Sequence, residues 1–403
     1  MTATTNGAVT PGLPEGTALL AASWGRFHVF ATRLEALTNI DSGSRDVEGL
    51  RLMADHVADY AAECGMTVTR VPTRDAEGEP LGEALVARKR GSGGRRVLLA
   101  AHLDTVFPAG TAAERPFSVD EHGHARGPGV CDDIGGLLAG ITAIEVLDEA
   151  GFDDYGEIVL LATPDEEIGS IGSREIIARL GREADVVLAL ECARATGELV
   201  SGRKGVADVR VRLRGRAAHS GIEPGAGASA ALGAARVAVE MDRLNDRWPD
   251  VTVNVGVLQA GERPNIVASE GELRAEVRAM DTAHFDAAIA ALHEISARHC
   301  GPGVEATVTV EAPVPPWAPT AATEELLAAA VRVGEEVGVD VRHTLTGGCG
   351  DVNLLGAFCP AALDGLGPVG GRDHGPEEYL DLGSVPPRVA LLAGLIARVG
   401  RDR

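Results

Sequence analysis

Positive charge is scarce in this sequence. Its 403 residues carry 37 Lys and Arg against 59 Asp and Glu, a formal charge of -22, and lysine occurs only at Lys89 and Lys204. So acidic a surface repels phosphate backbones and anionic bilayers, so neither nucleic acid nor membrane is expected as a partner. The lysine scarcity beside plentiful arginine reads as coding bias. Cysteine is sparse and unpatterned: Cys64, Cys131, Cys192, Cys300, Cys349 and Cys359 show no CxxC spacing. A chain this long needs no covalent staples, so free thiols in a reducing cytoplasm are expected. No apolar run is long enough to span a bilayer. Residues 1–16 are small, polar and proline-punctuated, without a basic segment leading into an apolar one, and read as a loose arm rather than a signal peptide. No internal repeat is evident.

What is present is a hydrophobic content of 45%, enough for a full core in two domains or one large one. The chain is organised around Arg126–Gly136, where Asp132 and Asp133 stand between glycine-rich turns ahead of a helix-period run (Leu137, Leu138, Ile141, Ile144, Leu147). A pair of aspartates in a turn is by itself an ordinary solvated feature. Its company changes the reading. Val97–Ala101 runs into His102 and Asp104, Ile158–Ala162 into Glu166 and Glu167, and Val186–Leu190 into Glu191. Continuous apolar runs alternating with helices mark buried parallel strands, and open α/β sheets bind ligands beyond the carboxyl ends of such strands.

Taken in order, 46–64 has apolar positions at helical spacing and Gly65 as its stop. Leu85–Ala87 and Val97–Ala101 read as paired strands around the turn 90–94. Asp104 shares a strand face with His102 by period-two alternation, placed to accept the second imidazole N–H. His122 and His124 lie in a glycine turn among acids and are left out of the site. Beyond residue 203 the texture changes: strand, loop with His219, helix, two strands, helix, strand. That βαββαβ order is the split arrangement of a ferredoxin-like domain. The expected organisation is an arm over 1–16, a catalytic domain over 17–203 and 314–403, and an inserted domain over 204–313. The fold class is thus α/β, a mixed, largely parallel sheet flanked by helices, with an inserted α+β domain.

The ligand candidates are His102, His374, Asp132, Glu167 and Glu191, with Glu166 left over. Nitrogen and oxygen donors without thiolates suit zinc, with Co2+ or Mn2+ as substitutes. Five protein ligands exceed what one catalytic zinc uses. Two ions about 3.5–4 Å apart, bridged by Asp132 and a water, fit the inventory.

Several stretches together resemble a known family: Ala101–Pro108, Gly127–Gly136, Thr163–Gly169, Glu191, Gly215–Gly221, Arg263–Val267 and Arg372–Tyr379. The chain is similar, from about Arg33 onward, to the dizinc peptidases and amidohydrolases that include glutamate carboxypeptidases, aminoacylases, acetylornithine deacetylase, succinyl-diaminopimelate desuccinylase and peptidase T. The resemblance implies that His102 and Glu191 hold one metal, Glu167 and His374 the other, with Asp132 between them and Glu166 as general base. It implies a cis peptide between Asp132 and Asp133, and gives His219 and Asn265 the role of polarising the scissile carbonyl. It also implies a homodimer through the inserted domain, whose apolar stripe Ala231, Leu232, Ala235 and Val239 suits such pairing, with His219 serving the partner subunit in several relatives. Glu191 as the acid ligand resembles the carboxypeptidase branch.

The implied activity is hydrolysis of a peptide or N-acyl amino-acid amide, on a small substrate. Desuccinylation or deacylation of a metabolite stays open, as does a non-catalytic metal-binding dimeric scaffold, which would need neither Glu166 nor His219. Two metals attract anionic substrates, yet orienting a carboxylate needs a local cation; Arg278 is the first candidate and Lys204, near the hinge, the second. Gly347–Asp351, GGCGD, departs from the family's GGTSD or GGGTD by lacking a hydroxyl. Cys131 and Cys192 flank ligands and read as small buried fillers.

Overall fold

The computed structural model describes residues 12–401. Residues 1–11 of the expected arm lie outside the described residues, while Gly16, at its end, opens a 23-residue helix, Gly16–Thr38. The sequence reading had no helix there. Its inward side is carried by Leu19, Phe30, Leu34 and Leu37, all at most 1% exposed, and alanines dilute the apolar spacing that would have announced it.

The described chain forms two compact units. Gly202–Ala318 together with Thr346–Asn353 makes one, and the remaining described residues make the other. In the first unit the central sheet has the strand order Thr67–Arg74, Pro80–Arg90, Glu157–Thr163, Arg96–His102, Val186–Ala189, Ala362–Leu363. The pairs among the last four of these are parallel, and the other two pairs are antiparallel. The central strands are buried along nearly their whole length, as expected of apolar runs covered on both faces. Helices Gly16–Thr38, Ile134–Glu149 and Val385–Arg401 pack on one another. The segment Leu382–Arg401 is long and apolar enough to cross a bilayer by length and composition, contrary to the expectation, yet 72% of it is buried inside the fold as a core helix.

One pairing differs from expectation. Pro80–Arg90 and Arg96–His102 are not a hairpin, because Glu157–Thr163 lies between them, antiparallel to one and parallel to the other. The turn between the two strands bonds outward: Gly91 N–H donates to Gly156 O at 3.2 Å and Ser92 N–H to Asp153 O at 2.7 Å. A run as apolar as Val97–Ala101 is best buried with strands on both sides, and a hairpin edge would not provide that.

The second unit is a four-stranded antiparallel sheet in the order Thr252–Ala260, Glu270–Ala279, Gly205–Arg214, Glu305–Val314. Val209, Val211, Leu273 and Val277 pack with Val237, Met241, Phe285 and Leu292 of helices Ala230–Asp242 and Thr282–His299 in a core of their own. Both helices are capped as their sequence demands: Ser229 Oγ accepts from Leu232 N at 3.2 Å and an Asp281 carboxylate oxygen from His284 N at 2.9 Å. This unit is larger than 204–313, because the chain's return segment belongs to it. Arg278 Nη1 donates to Gly347 O at 2.7 Å, and Asn353 Nδ2 to Lys204 O at 3.2 Å and Pro315 O at 2.9 Å.

Candidate metal centre

Three strand ends and two loops of the first unit supply the centre. His102 closes Arg96–His102, Glu167 lies in the short turn Glu166–Ile168 after Glu157–Thr163, and Glu191 follows Val186–Ala189. Asp132 comes from the turn before helix Ile134–Glu149, where Gly129 has φ +70° and the Asp132–Asp133 peptide is cis, as the resemblance implied. That helix starts tight against the Glu191 strand, since a Cβ at Gly136 would collide with the Leu190 carbonyl. His374 is delivered by a small sheet in which Tyr379–Asp381 pairs with both Gly370–Gly371 and His124–Arg126.

These side chains converge. His102 Nε2 lies 3.0 Å from Asp132 Oδ1 and 3.8 Å from Glu191 Oε1. His374 Nε2 lies 3.2 Å from Asp132 Oδ2 and 3.1 Å from Glu167 Oε2. Asp132 therefore turns one oxygen to each histidine, and each histidine has a second carboxylate beside it. Ligand atoms of His102, Asp132 and Glu167 all lie within 4.8 Å of one another, close enough for a shared cation. The electrostatics favour positive charge here. Contacts with Asp132 and then Glu167 push His374 up to about 11. Burial works against a charged His102, yet Asp104 and Asp132 carry it well above the ordinary imidazole value. Burial alone would raise Asp132, and the two imidazoles hold it well below the usual carboxylate range. Burial, followed by the nearby Glu191, pushes Asp133 well up. Nitrogen and oxygen donors in a field that draws cations fit a divalent metal.

Two buried acids also fasten the main chain around the centre. Asp104, 1% exposed, accepts from Ser44 Oγ at 2.7 Å and from the N–H groups of Glu166 and Glu167 at 3.0 and 3.1 Å. Its carboxylate Oδ1 stands 3.4 Å from His102 Nδ1, whereas its own main-chain oxygen is 2.9 Å away. The expected partnership with the second imidazole nitrogen thus falls to the Asp104 carbonyl, which frees the carboxylate to fix the Glu166–Glu167 turn. Glu378, which the sequence reading missed, is 1% exposed and accepts from Gly129, Cys131 and Asp132 N–H groups. Burial pushes it up to about 7. The only signal was an acid pair, Glu377–Glu378, shortly after His374.

The expectation of free thiols fails at one pair. Cys131 and Cys192 are joined as a disulfide, with Cα atoms 6.0 Å apart, because each adjoins a residue that the centre draws together. Cys64, Cys300, Cys349 and Cys359 remain thiols. Beside Glu167 opens a hollow of about 350 Å³ lined by Ser44, Thr105, Val106, Phe107, Pro108 and Ile168 among others.

The remaining candidates belong to the second unit. His219 forms a bridge with Ile266, and Ser220 N–H donates to Asn265 O at 3.1 Å, so His219 and Asn265 lie on adjoining, exposed segments. Gly221 N–H donates to His219 Nδ1 at 3.1 Å, which leaves the neutral ring's proton on Nε2. Lys204 Nζ donates to Thr252 Oγ1 at 3.2 Å. Arg278 is engaged: Nε and Nη2 pair with Glu276 at 2.6 and 2.9 Å.

The chain is also similar to known proteins along most of its length. The chain is 33% identical over 376 residues to carboxypeptidase G2 of Pseudomonas sp. (strain RS-16), covering 92% of this chain and 89% of that protein. It is 27% identical over 316 residues to succinyl-diaminopimelate desuccinylase of Bordetella parapertussis, covering 74% and 82%. A tripeptidase from Staphylococcus aureus shares its fold with a TM-score of 0.76 at 23% identity, covering 97% of this chain and all of that one. So does aminopeptidase PepT from Bacillus cereus, at TM-score 0.74 and 23% identity, covering 96% and 100%. The model of peptidase family M20/M25/M40 matches residues 98–398, a stretch that holds His102, Asp132, Glu167, Glu191 and His374 alike, and the chain belongs to that family of metal-dependent hydrolases of peptide and acyl-amino-acid bonds.

Proposed function

We propose that this hydrolase is a dinuclear zinc enzyme of carboxypeptidase type, cleaving a peptide or N-acyl amino-acid amide next to a free carboxylate. The observation that carries the reading is Asp132, whose Oδ1 faces His102 and Oδ2 faces His374 at 3.0 and 3.2 Å, each histidine with its own carboxylate. One carboxylate shared by two histidine–carboxylate pairs is the donor pattern of a two-metal site. His102 and Glu191 would hold one ion, Glu167 and His374 the other, with Co2+ or Mn2+ able to replace zinc. Divalent ions held there supply positive charge that polarises a carbonyl oxygen and acidifies water.

The chain's own groups do the rest. Glu166, half-buried beside Glu167 with its N–H bound to Asp104 at 3.0 Å, takes the proton of the attacking water and passes it to the leaving nitrogen. His219, with its proton on Nε2, and Asn265 are suited to donate to the scissile carbonyl. The second unit acts as an inserted lid and dimerisation domain, and the exposed Leu232 and Val239 of its helix Ala230–Asp242, at 59% and 56%, fit an apolar contact with a second copy. His219 then serves the partner's site. Arg278 receives the substrate carboxylate by exchanging Glu276 for it, with Lys204 in support. Relatives named as desuccinylase and deacetylase favour N-acyl amino acids among the substrates.

The test is hydrolysis of a panel of N-acyl amino acids and dipeptides, with metal content measured alongside. Activity should vanish on chelation, return with zinc and track two ions per chain. Full activity after chelation, or at one ion per chain, overturns the reading.

A further inference from the structure

We propose that Glu378 is a positioning residue that sets the Asp132 carboxylate by gripping the main chain in front of it, so that the His374 loop and the Asp132 turn move as one piece. Glu378 Oε1 accepts from Cys131 N at 2.9 Å and Asp132 N at 3.1 Å, and Oε2 accepts from Gly129 N at 3.1 Å. Buried N–H groups must find acceptors, and this turn lies outside any helix or strand that would supply them. Converging main-chain N–H groups make a seat for an anion.

The choice of side chain is informative. The centre already concentrates Asp132, Glu167 and Glu191, so another carboxylate adds repulsion that a neutral amide would avoid. Yet only a carboxylate offers two oxygens that both accept and neither donates. A glutamine here would turn its NH2 toward a main-chain N–H at one end or the other. An aspartate is one methylene short of the turn. The anchor is also local to both ligands. Glu378 follows His374 by four residues, its N–H donates to Gly375 O at 3.3 Å, and the next residue, Tyr379, pairs with Arg126 in the strand leading into the Asp132 turn. His374 itself sits at φ +63° and Arg372 at φ +61°, conformations that L residues adopt only when their surroundings hold them. Glu378 thus ties the loop that carries His374 to the main chain of the Asp132 turn, beside the His374–Asp132 contact itself.

This inference rests on Asp132 being shared by two ions. The experiment compares wild type, Glu378→Gln and Glu378→Asp, each loaded with Co2+ after removal of metal, for ion affinity, visible absorption and kcat and KM, with a thermal melt as the folding check. Glu378→Gln should fold, lose about 10–100-fold in affinity for at least one ion, show an altered cobalt spectrum and lose kcat with KM nearly unchanged. Glu378→Asp should show the same direction of change, and it stands in if the glutamine variant does not fold. A folded variant with wild-type affinity, spectrum and kcat overturns the proposal, as does a loss confined to melting temperature. If wild type itself takes up only one Co2+, the two-ion reading fails, which is distinct from failure of Glu378's role.

Discussion

The two units hold their candidate functional side chains in opposite ways. In the first, the ligand candidates stand at the rim of a buried sheet, and the turns that carry them are fastened through buried acids, Asp104 to Glu166 and Glu167, Glu378 to Asp132. In the second, His219 and Asn265 are exposed and the unit's core, around Val211, Leu273 and Leu292, does not include them. Groups that bind charge must be fixed before the charge arrives, whereas groups that meet a substrate can stay on a surface. Loss of a ligand candidate in the first unit should therefore remove metal, and loss of His219 or Arg278 in the second should remove turnover while sparing metal.

The largest effect expected is for Asp132→Ala, which should lose both ions and all measurable activity, with a lower melting temperature in zinc because ion binding no longer adds to stability. Elemental analysis showing two zincs in that variant breaks the comparison. Glu166→Gln should keep both ions and lose about 10² to 10⁴-fold or more in kcat; retention of substantial turnover with full metal removes Glu166 from its role as base. For the second unit, His219→Ala and Glu166→Ala homodimers should each be nearly inactive with metal in place. Mixing equal amounts should restore about a quarter of wild-type activity, since half the dimers are mixed and each has one intact site. Mixed dimers that form, shown by two affinity tags, but give no rescue would place His219 in its own subunit's site.

Smaller effects sharpen the contrast. Arg278→Ala should cost about tenfold or more in kcat/KM on substrates with a free α-carboxylate and little on their amides, with metal content unchanged; equal losses on acid and amide count against the carboxylate contact. The smallest is Ser229→Ala, which removes the acceptor at 3.2 Å from Leu232 N–H. It should destabilise by about 1 kcal/mol in a denaturant melt, with kcat unaltered.

How much of this was legible before folding depends on range. Helix Val47–Glu63 announced itself by apolar spacing with Asp46 ahead and Gly65 behind, and Asp46 does accept from Gly49 N–H at 3.1 Å. Apolar runs that end on His102, Glu166–Glu167 and Glu191 could be read as strands with chemistry at their ends, because composition and period are local properties. Helix Gly16–Thr38 escaped because alanine is neutral in such a pattern.

What the sequence determined by itself, then, was the inventory: which residue types lie at strand ends, what donors they offer, and that the middle of the chain has a different periodicity from the rest. Tertiary structure alone decided the neighbours. It put Glu157–Thr163 between two strands that look like a hairpin, joined Cys131 to Cys192, gave the His102 ring to the Asp104 carbonyl, and aimed Glu378 at three main-chain N–H groups on a turn some 250 residues away in the chain. The physical reason is that periodicity fixes which face a side chain occupies, while the partner it meets across space follows from how the whole core closes.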